Sequence, residues 1–228
     1  MIPTHYQSLR RFAQVAVFSL ALLLCLFFSL LARPAPAPAL PEAEMPLYQE
    51  IDNQGLGFSY RLPAGWGELS PLLMEIYNSA ARSFSGGADA PYLVAAYSSQ
   101  GSQFIPPVLM LHYLEQPINA GMVEPMNNLF LEEARDEAGK THMAQKLGLA
   151  SEVRFIEARE LRPGTPLVIA EADSRFGFTV RVMASPFYFE HGLMIVAYFA
   201  PLSDFSEHET EMLNFFRSIS IKPEALPR

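Results

Sequence analysis

Proton transfer near neutral pH falls first to histidine. The chain has five: His5, His112, His142, His191 and His208. No two of them, and none with a cysteine, stand at metal-ligand spacing. His112 shares a strand face with Val108, Met110 and Leu114, which favours a buried core ring over a ligand or base. His191 reads as an exposed turn residue. Met122 and Met126, with His142-Met143, offer soft donors suited to Cu(I), but methionine is more often an adaptable core filler. Glu132, Glu133, Asp136 and Glu137 form an acidic helix face. Such a face attracts calcium or a basic partner, or is simply solvated. Ser83, Ser85, Gly86 and Gly87 do not build a Gly-x-Ser-x-Gly elbow. Phosphate-loop and dinucleotide fingerprints are missing. No catalytic residue, cofactor or metal ligand is therefore assigned, although triads can still meet in space. The surface candidate is Phe187-Tyr188-Phe189. Exposed at a hairpin end, these rings mark a contact with a partner or a membrane surface; folded back alternately, they are packing.

The folded part must position these groups. Residues 1–11 form a short segment with Arg10 and Arg11 at its end. Phe12 to Ala32 follows, 21 residues without charge, enough to cross a bilayer at roughly 20 residues per span. This is a transmembrane anchor, or else a signal peptide cleaved after Ala37-Pro38-Ala39. The basic pair before the run puts the N-terminus in the cytoplasm. The rest then lies on the other side, anchored at the inner membrane or released into the periplasm. Cys25 lies inside the run and follows Leu24, where a lipoprotein signal needs a small residue. Residues 33–45 alternate proline and alanine, an extended spacer. Residues 46–228 form one domain without cysteine, stabilised by packing alone. Setting aside Arg10, Arg11, Arg33, Glu42 and Glu44 leaves 22 acidic and 13 basic side chains, a net charge of −9. Nucleic acid is an unlikely partner for such a surface.

Within that domain, 47–52 and 57–62 read as a hairpin around Asn53-Gln54-Gly55. Pro63-Ala64-Gly65 ends it ahead of Trp66. Ser70 caps a helix with Pro71 first and Leu73, Ile76, Tyr77, Ala80 and Phe84 as its stripe. Strands follow at 92–98 and 108–115. A helix runs from about Val123 or Met126 to Ala138. Strands 152–161 and 167–173 flank a proline-glycine turn. A three-residue loop at Arg175-Phe176-Gly177 sets Glu171 opposite Arg181, Asp173 opposite Thr179 and Ile169 opposite Met183. That register gathers Val168, Ala170, Ala172, Val180 and Val182 on one core face. Phe187 to His191 is the turn into Leu193–Ala200, a run apolar on both faces and hence a central strand. The last helix is capped by Asp204 or Ser206, with Phe205, Met212, Phe215, Phe216 and Ile219 inward. The expected architecture is α+β: a single antiparallel sheet with helices on both faces, an α/β/α sandwich.

Phe58-Ser59-Tyr60-Arg61-Leu62-Pro63-Ala64-Gly65-Trp66 resembles the opening strand and Pro-x-Gly-Trp turn of PsbP-like domains. The closing strand, Ala-Pro, acidic helix and Phe216-Arg217-Ser218-Ile219 end are similar to their C-terminus. The same superfamily holds Mog-type and DcrB-like proteins. The resemblance implies a sandwich domain used as a binding or accessory module, with no shared catalytic residues. An exported bacterial member would work with an envelope protein partner. The alternatives are a periplasmic carrier of a small molecule or lipid, which needs a closed apolar pocket, and an unrecognised hydrolase.

Overall fold

The structure is a computed structural model. It describes residues 48–75, 78–79, 91–99, 107–135, 153–173 and 178–227. The strands are β1 (Tyr48–Asn53), β2 (Phe58–Pro63), β3 (Trp66–Glu68), β4 (Tyr92–Ser99), β5 (Val108–Glu115), β6 (Arg154–Arg162), β7 (Thr165–Asp173), β8 (Thr179–Phe189), β9 (Gly192–Pro201) and β10 (Ser220–Ile221). Two long helices accompany them, α1 (Ala120–Arg135) and α2 (Leu202–Ser218). A 3-10 turn spans Pro223–Ala225.

The single-sheet sandwich with helices on both faces is overturned. The strands form two sheets, one ordered β1-β2-β10 and the other β3-β4-β5-β9-β8-β7-β6. Strand outweighs helix among the described residues. The physical reason lies in the first hairpin. Its inward residues Phe58, Tyr60 and Leu62 do not extend the large sheet; they pack onto its Leu109, Met194 and Val196 together with Phe215 and Phe216 of α2. The free edge of β2 is then taken by β10, with Ser220 opposite Ser59. The opposite face of the large sheet carries two smaller clusters. One unites Ile118, Met126 and Phe130 with Val168, Ala184, Leu193 and Ile195. The other joins Leu93, Met110, Val182 and Phe199 with Leu69, Leu73 and Met74.

β9 is central, as its composition requires: β5 pairs one edge and β8 the other. It is buried throughout except at Pro201. The β7–β8 register has Glu171 opposite Arg181, Asp173 opposite Thr179 and Ile169 opposite Met183, as the charge pattern dictates. The loop residues 174–177 lie outside the described residues. The Ser70 cap is present, its Oγ accepting from Leu73 N at 3.4 Å, and residues 71–75 are helical. The rest of that helix, apart from residues 78–79, lies outside the described residues.

Three boundaries differ. α1 starts at Ala120, upstream of the expected Val123 or Met126, because the helix tolerates Pro125 inside its second turn. The proline removes one N–H and crowds the carbonyl four residues back, which here belongs to Gly121. α2 begins after Pro201 with no side-chain cap; Asp204 lies in its first turn and Ser206 Oγ donates back to Leu202 O at 3.2 Å. β8 continues through Phe189, so the turn into β9 is only Glu190-His191.

That tight turn places Gly192 under the Tyr113 ring. A Cβ there would lie 2.2 Å from Tyr113 Cζ and Oη and 2.7 Å from the Leu114 carbonyl. Both strands are held by pairing, so Gly192→Ala is expected to cost roughly 1–3 kcal/mol through overpacking. Gly55→Ala, where the nearest atom is 3.6 Å from the new Cβ, serves as the control. Parallel thermal melts check this; equal midpoints for the two variants would contradict the packing argument.

Candidate functional site

An assembly of polar and aromatic side chains lies where β3 meets α2. β3 is only three residues long and pairs with β4 through Trp66 opposite Ser99. That pairing turns the indole inward, where it is 7% exposed. Trp66 Nε1 donates to Glu211 Oε2 at 3.1 Å. The same oxygen lies 3.1 Å from His208 Nδ1. An ionised carboxylate only accepts, so Nδ1 is the nitrogen that carries hydrogen toward it. The indole meets the His208 ring edge-on at 5.8 Å and the Tyr198 ring at 6.1 Å. His208 and Glu211 are three residues apart on α2 and therefore share a face. Glu211 thus fastens the edge strand to the helix.

Deeper in, the hydroxyls of Tyr60 and Tyr97 are 2.5 Å apart and either can donate. Burial raises the Tyr60 phenol far above its ordinary value, and the Tyr97 bond and Glu68 charge add to this. Burial likewise raises Tyr97. Tyr198 is raised by burial and then by the acidic side chains of α2, beginning with Asp204. All three phenols are neutral at physiological pH. Tyr60 and Tyr97 join the two sheets, and Tyr198 joins the large sheet to α2, stacking on Phe205 with its hydroxyl toward the Asp204 carbonyl.

A second polar group ties the far strands together. Arg181 Nε donates to Glu171 Oε1 at 2.7 Å, and its Nη2 contacts the same oxygen. Arg154 bridges Asp173 at 2.7 Å and approaches Glu171 at 3.6 Å. Thr179 Oγ1 donates to Asp173 at 2.7 Å. The Arg181 guanidinium also lies 5.4 Å over the Phe205 ring. This network spans β6, β7 and β8 and reaches α2. Arg162 caps the other end of α2, its Nη1 donating to the Ile219 carbonyl at 2.8 Å.

The residues singled out in the sequence fall as follows. Phe187 and Phe189 are buried in the cluster on the α2 side of the large sheet. Tyr188 points to the other side, and its hydroxyl donates to Asn127 Oδ1 at 2.8 Å. Of the two readings of that hairpin end, the rings take the folded-back one, alternating between two covered faces. His112 is buried in the core, as the apolar strand required. His191 is exposed. Met126 is buried and Met122 partly so, both within the α1 cluster. Glu132 is exposed. Among the described residues no cluster of histidine, cysteine and acidic groups has the arrangement to hold a metal ion. Ser83, Ser85, Gly86, Gly87, Asp136, Glu137, His142 and Met143 lie outside the described residues. The Trp66–Glu211–His208 fastening was missed: its partners are 145 residues apart, and no local spacing announces them.

Neither the protein-family models nor the curated proteins hold a match to this chain. Among solved structures the chain is similar to the solution structure of the cyanobacterial PsbP, CyanoP, from Synechocystis sp. PCC 6803. The identity is 12% and the TM-score 0.45, over 82% of this chain and 99% of that one. It is also similar to LpqN, involved in cell envelope biogenesis of Mycobacterium tuberculosis. There the identity is 12% and the TM-score 0.43, over 77% of this chain and 91% of that one. No residue role is carried over from either protein, and neither bears on the Mog-type or DcrB-like labels.

Proposed function

We propose that this chain is a binding or accessory module held on the outer face of the cytoplasmic membrane, where it works with an envelope protein partner. The observation that carries this is the order of the chain: 21 uncharged residues behind a basic pair, a proline-alanine spacer, then a domain. The domain's first strand opens at Tyr48, three residues past the spacer. Among the described residues no helix is long and apolar enough to cross a membrane, and the run Phe12 to Ala32 lies outside them. The organised polar groups of the domain support a module rather than a reaction centre. Trp66, His208 and Glu211 bind one another, as do Arg154, Glu171, Asp173, Thr179 and Arg181. Each set joins elements of the fold.

Photo-cross-linking of the full chain in intact membranes tests the proposal. A defined protein adduct is expected, and it should disappear when the domain is released from the membrane by cutting the spacer. No adduct, together with a lipid or small molecule that co-purifies in stoichiometric amount, would favour the carrier instead.

A further inference from the structure

The segment after α2 lies on the small sheet as a strap. β10 leads directly into the 3-10 turn Pro223–Ala225. Ser220 faces Ser59 and Ile221 faces Phe58. Lys222 N donates to the Gly57 carbonyl at 2.8 Å, so the ladder runs one residue further. Ser218, still helical, closes the same edge on the other side: its Oγ accepts from Arg61 N at 2.9 Å. Past the 3-10 turn, Glu190 N of the β8–β9 turn donates to the Ala225 carbonyl at 2.9 Å. The strap thus fills a sheet edge in the way an added strand does in peptide recognition.

Its side chains show what this edge accepts. Ile221 and Ala225 are half-buried against the cluster that holds Phe58 and Phe189. Lys222 Nζ lies 3.0 Å from Asp52 Oδ1. Ala225 rests on Gly57, whose φ is +72°; a Cβ on that glycine would come within 2.8 Å of the Ala225 Cβ. The edge therefore takes an apolar residue, a basic residue next to it, and a small residue three positions on. The hold is slight. No side chain from Ser220 to Leu226 is fully buried. By contrast, α2 buries Phe205, Met212, Phe215 and Phe216. Local opening is drawn from segments with few buried contacts.

We propose that the strap from Ser220 to Leu226 is a built-in competitor: it fills the β2 edge and yields it to an extended segment of the envelope partner with the same apolar, basic and small residues. This rests on the module reading and gives that module its docking site. Displacement leaves the core packed, because Ile219 is buried and the strap begins just after it. An incoming strand restores what the strap releases: a donor for the Gly57 carbonyl, an acceptor for Glu190 N and a cation for Asp52. A tethered segment competes at an effective concentration of about millimolar, so poorly matched segments are kept out.

The probe is a fluorescent peptide with the sequence of residues 218–227, added to the full chain in detergent. Lys222→Glu sets a carboxylate against Asp52 and loosens the strap, so it should bind the peptide about two- to fivefold more tightly than wild type. A peptide with glutamate at the lysine position should bind both more weakly. Ser59→Cys/Ser220→Cys gives opposed Cβ atoms about 5 Å apart, a gap that dibromobimane spans. The bridged form should not bind the peptide, whereas the same variant capped with monobromobimane should. In the wild type, the Lys222 and Glu190 amides should exchange faster than those of β9. Equal peptide binding by the bridged and capped forms would overturn the proposal. So would no binding to Lys222→Glu, or Lys222 and Glu190 amides protected as long as those of β9. A protein adduct in membranes that persists in the bridged form would overturn this site while leaving the module reading intact.

Discussion

Trp66→Ala is expected to destabilise the domain by roughly 3–5 kcal/mol, the usual cost of truncating a large buried ring. The indole is 7% exposed and wedged edge-on against Tyr198 and His208. Its removal opens a cavity between β3 and α2 that a three-residue edge strand is poorly placed to fill by shifting. It also strips Glu211 of its indole donor, leaving His208 as its partner. Trp66→Phe separates the two contributions. It keeps most of the ring contact and loses only the hydrogen bond, so it should cost about 0.5–1.5 kcal/mol. Urea unfolding of both variants provides the measurement. Because Trp66 is the only tryptophan, the wild-type fluorescence is a second check. Blue-shifted emission that acrylamide quenches poorly is expected. Water-exposed emission, with an unchanged unfolding midpoint in Trp66→Ala, would show the ring to be a surface anchor.

Phe205→Ala should cost a similar amount, roughly 3–5 kcal/mol. Phe205 is fully buried in the first turns of α2. One neighbour is the Tyr198 ring, stacked at 5.0 Å; another is the Arg181 guanidinium at 5.4 Å. Truncation removes the apolar filling and the surface on which Arg181 rests while it holds Glu171. The stacked pair adds about 0.5–1.5 kcal/mol beyond area burial. Phe205→Leu, which keeps much of the volume without the ring, should fall between wild type and alanine. A shift of the urea midpoint with an unchanged m-value is the expected signature. Domains of this size are stable by only about 5–15 kcal/mol, so the double variant Trp66→Ala/Phe205→Ala should be largely unfolded. A double variant that still melts cooperatively near wild type would mean that the α2 interface contributes little.

Local pattern was enough for the parts of the fold that local physics decides. The β7–β8 register follows from period-two alternation combined with Glu171 and Arg181 at matching positions. The central place of β9 follows from a run that is apolar on both faces. The inward stripe of α2 follows from helical spacing at Phe205, Met212, Phe215 and Phe216. What escaped depends on partners distant in the chain. The alternation of Phe58, Tyr60 and Leu62 is the same whether β2 extends the large sheet or packs across it. Ser220 and Ile221, near the other end of the chain, complete the second sheet. Phe187-Tyr188-Phe189 left two readings open, exposed or folded back, because three consecutive rings exceed what a one-sided strand can bury. Here both faces are covered, and Asn127 of α1 satisfies the Tyr188 hydroxyl. β3 is too short to carry a pattern, and the Trp66–Glu211 bond has no sequence signature.

The central claim is the tether, and the most direct measurement is the identity and location of the mature chain. Cells are fractionated, the membranes washed at alkaline pH, and the protein sequenced from its N-terminus and by tryptic peptides. Trypsin cuts after Arg11 and, because Pro34 follows Arg33, next after Arg61, so residues 12–61 would be released as one peptide. The account predicts that this peptide is recovered from the alkaline-washed membranes. A mature chain beginning at Leu40 and found in the soluble fraction would contradict it.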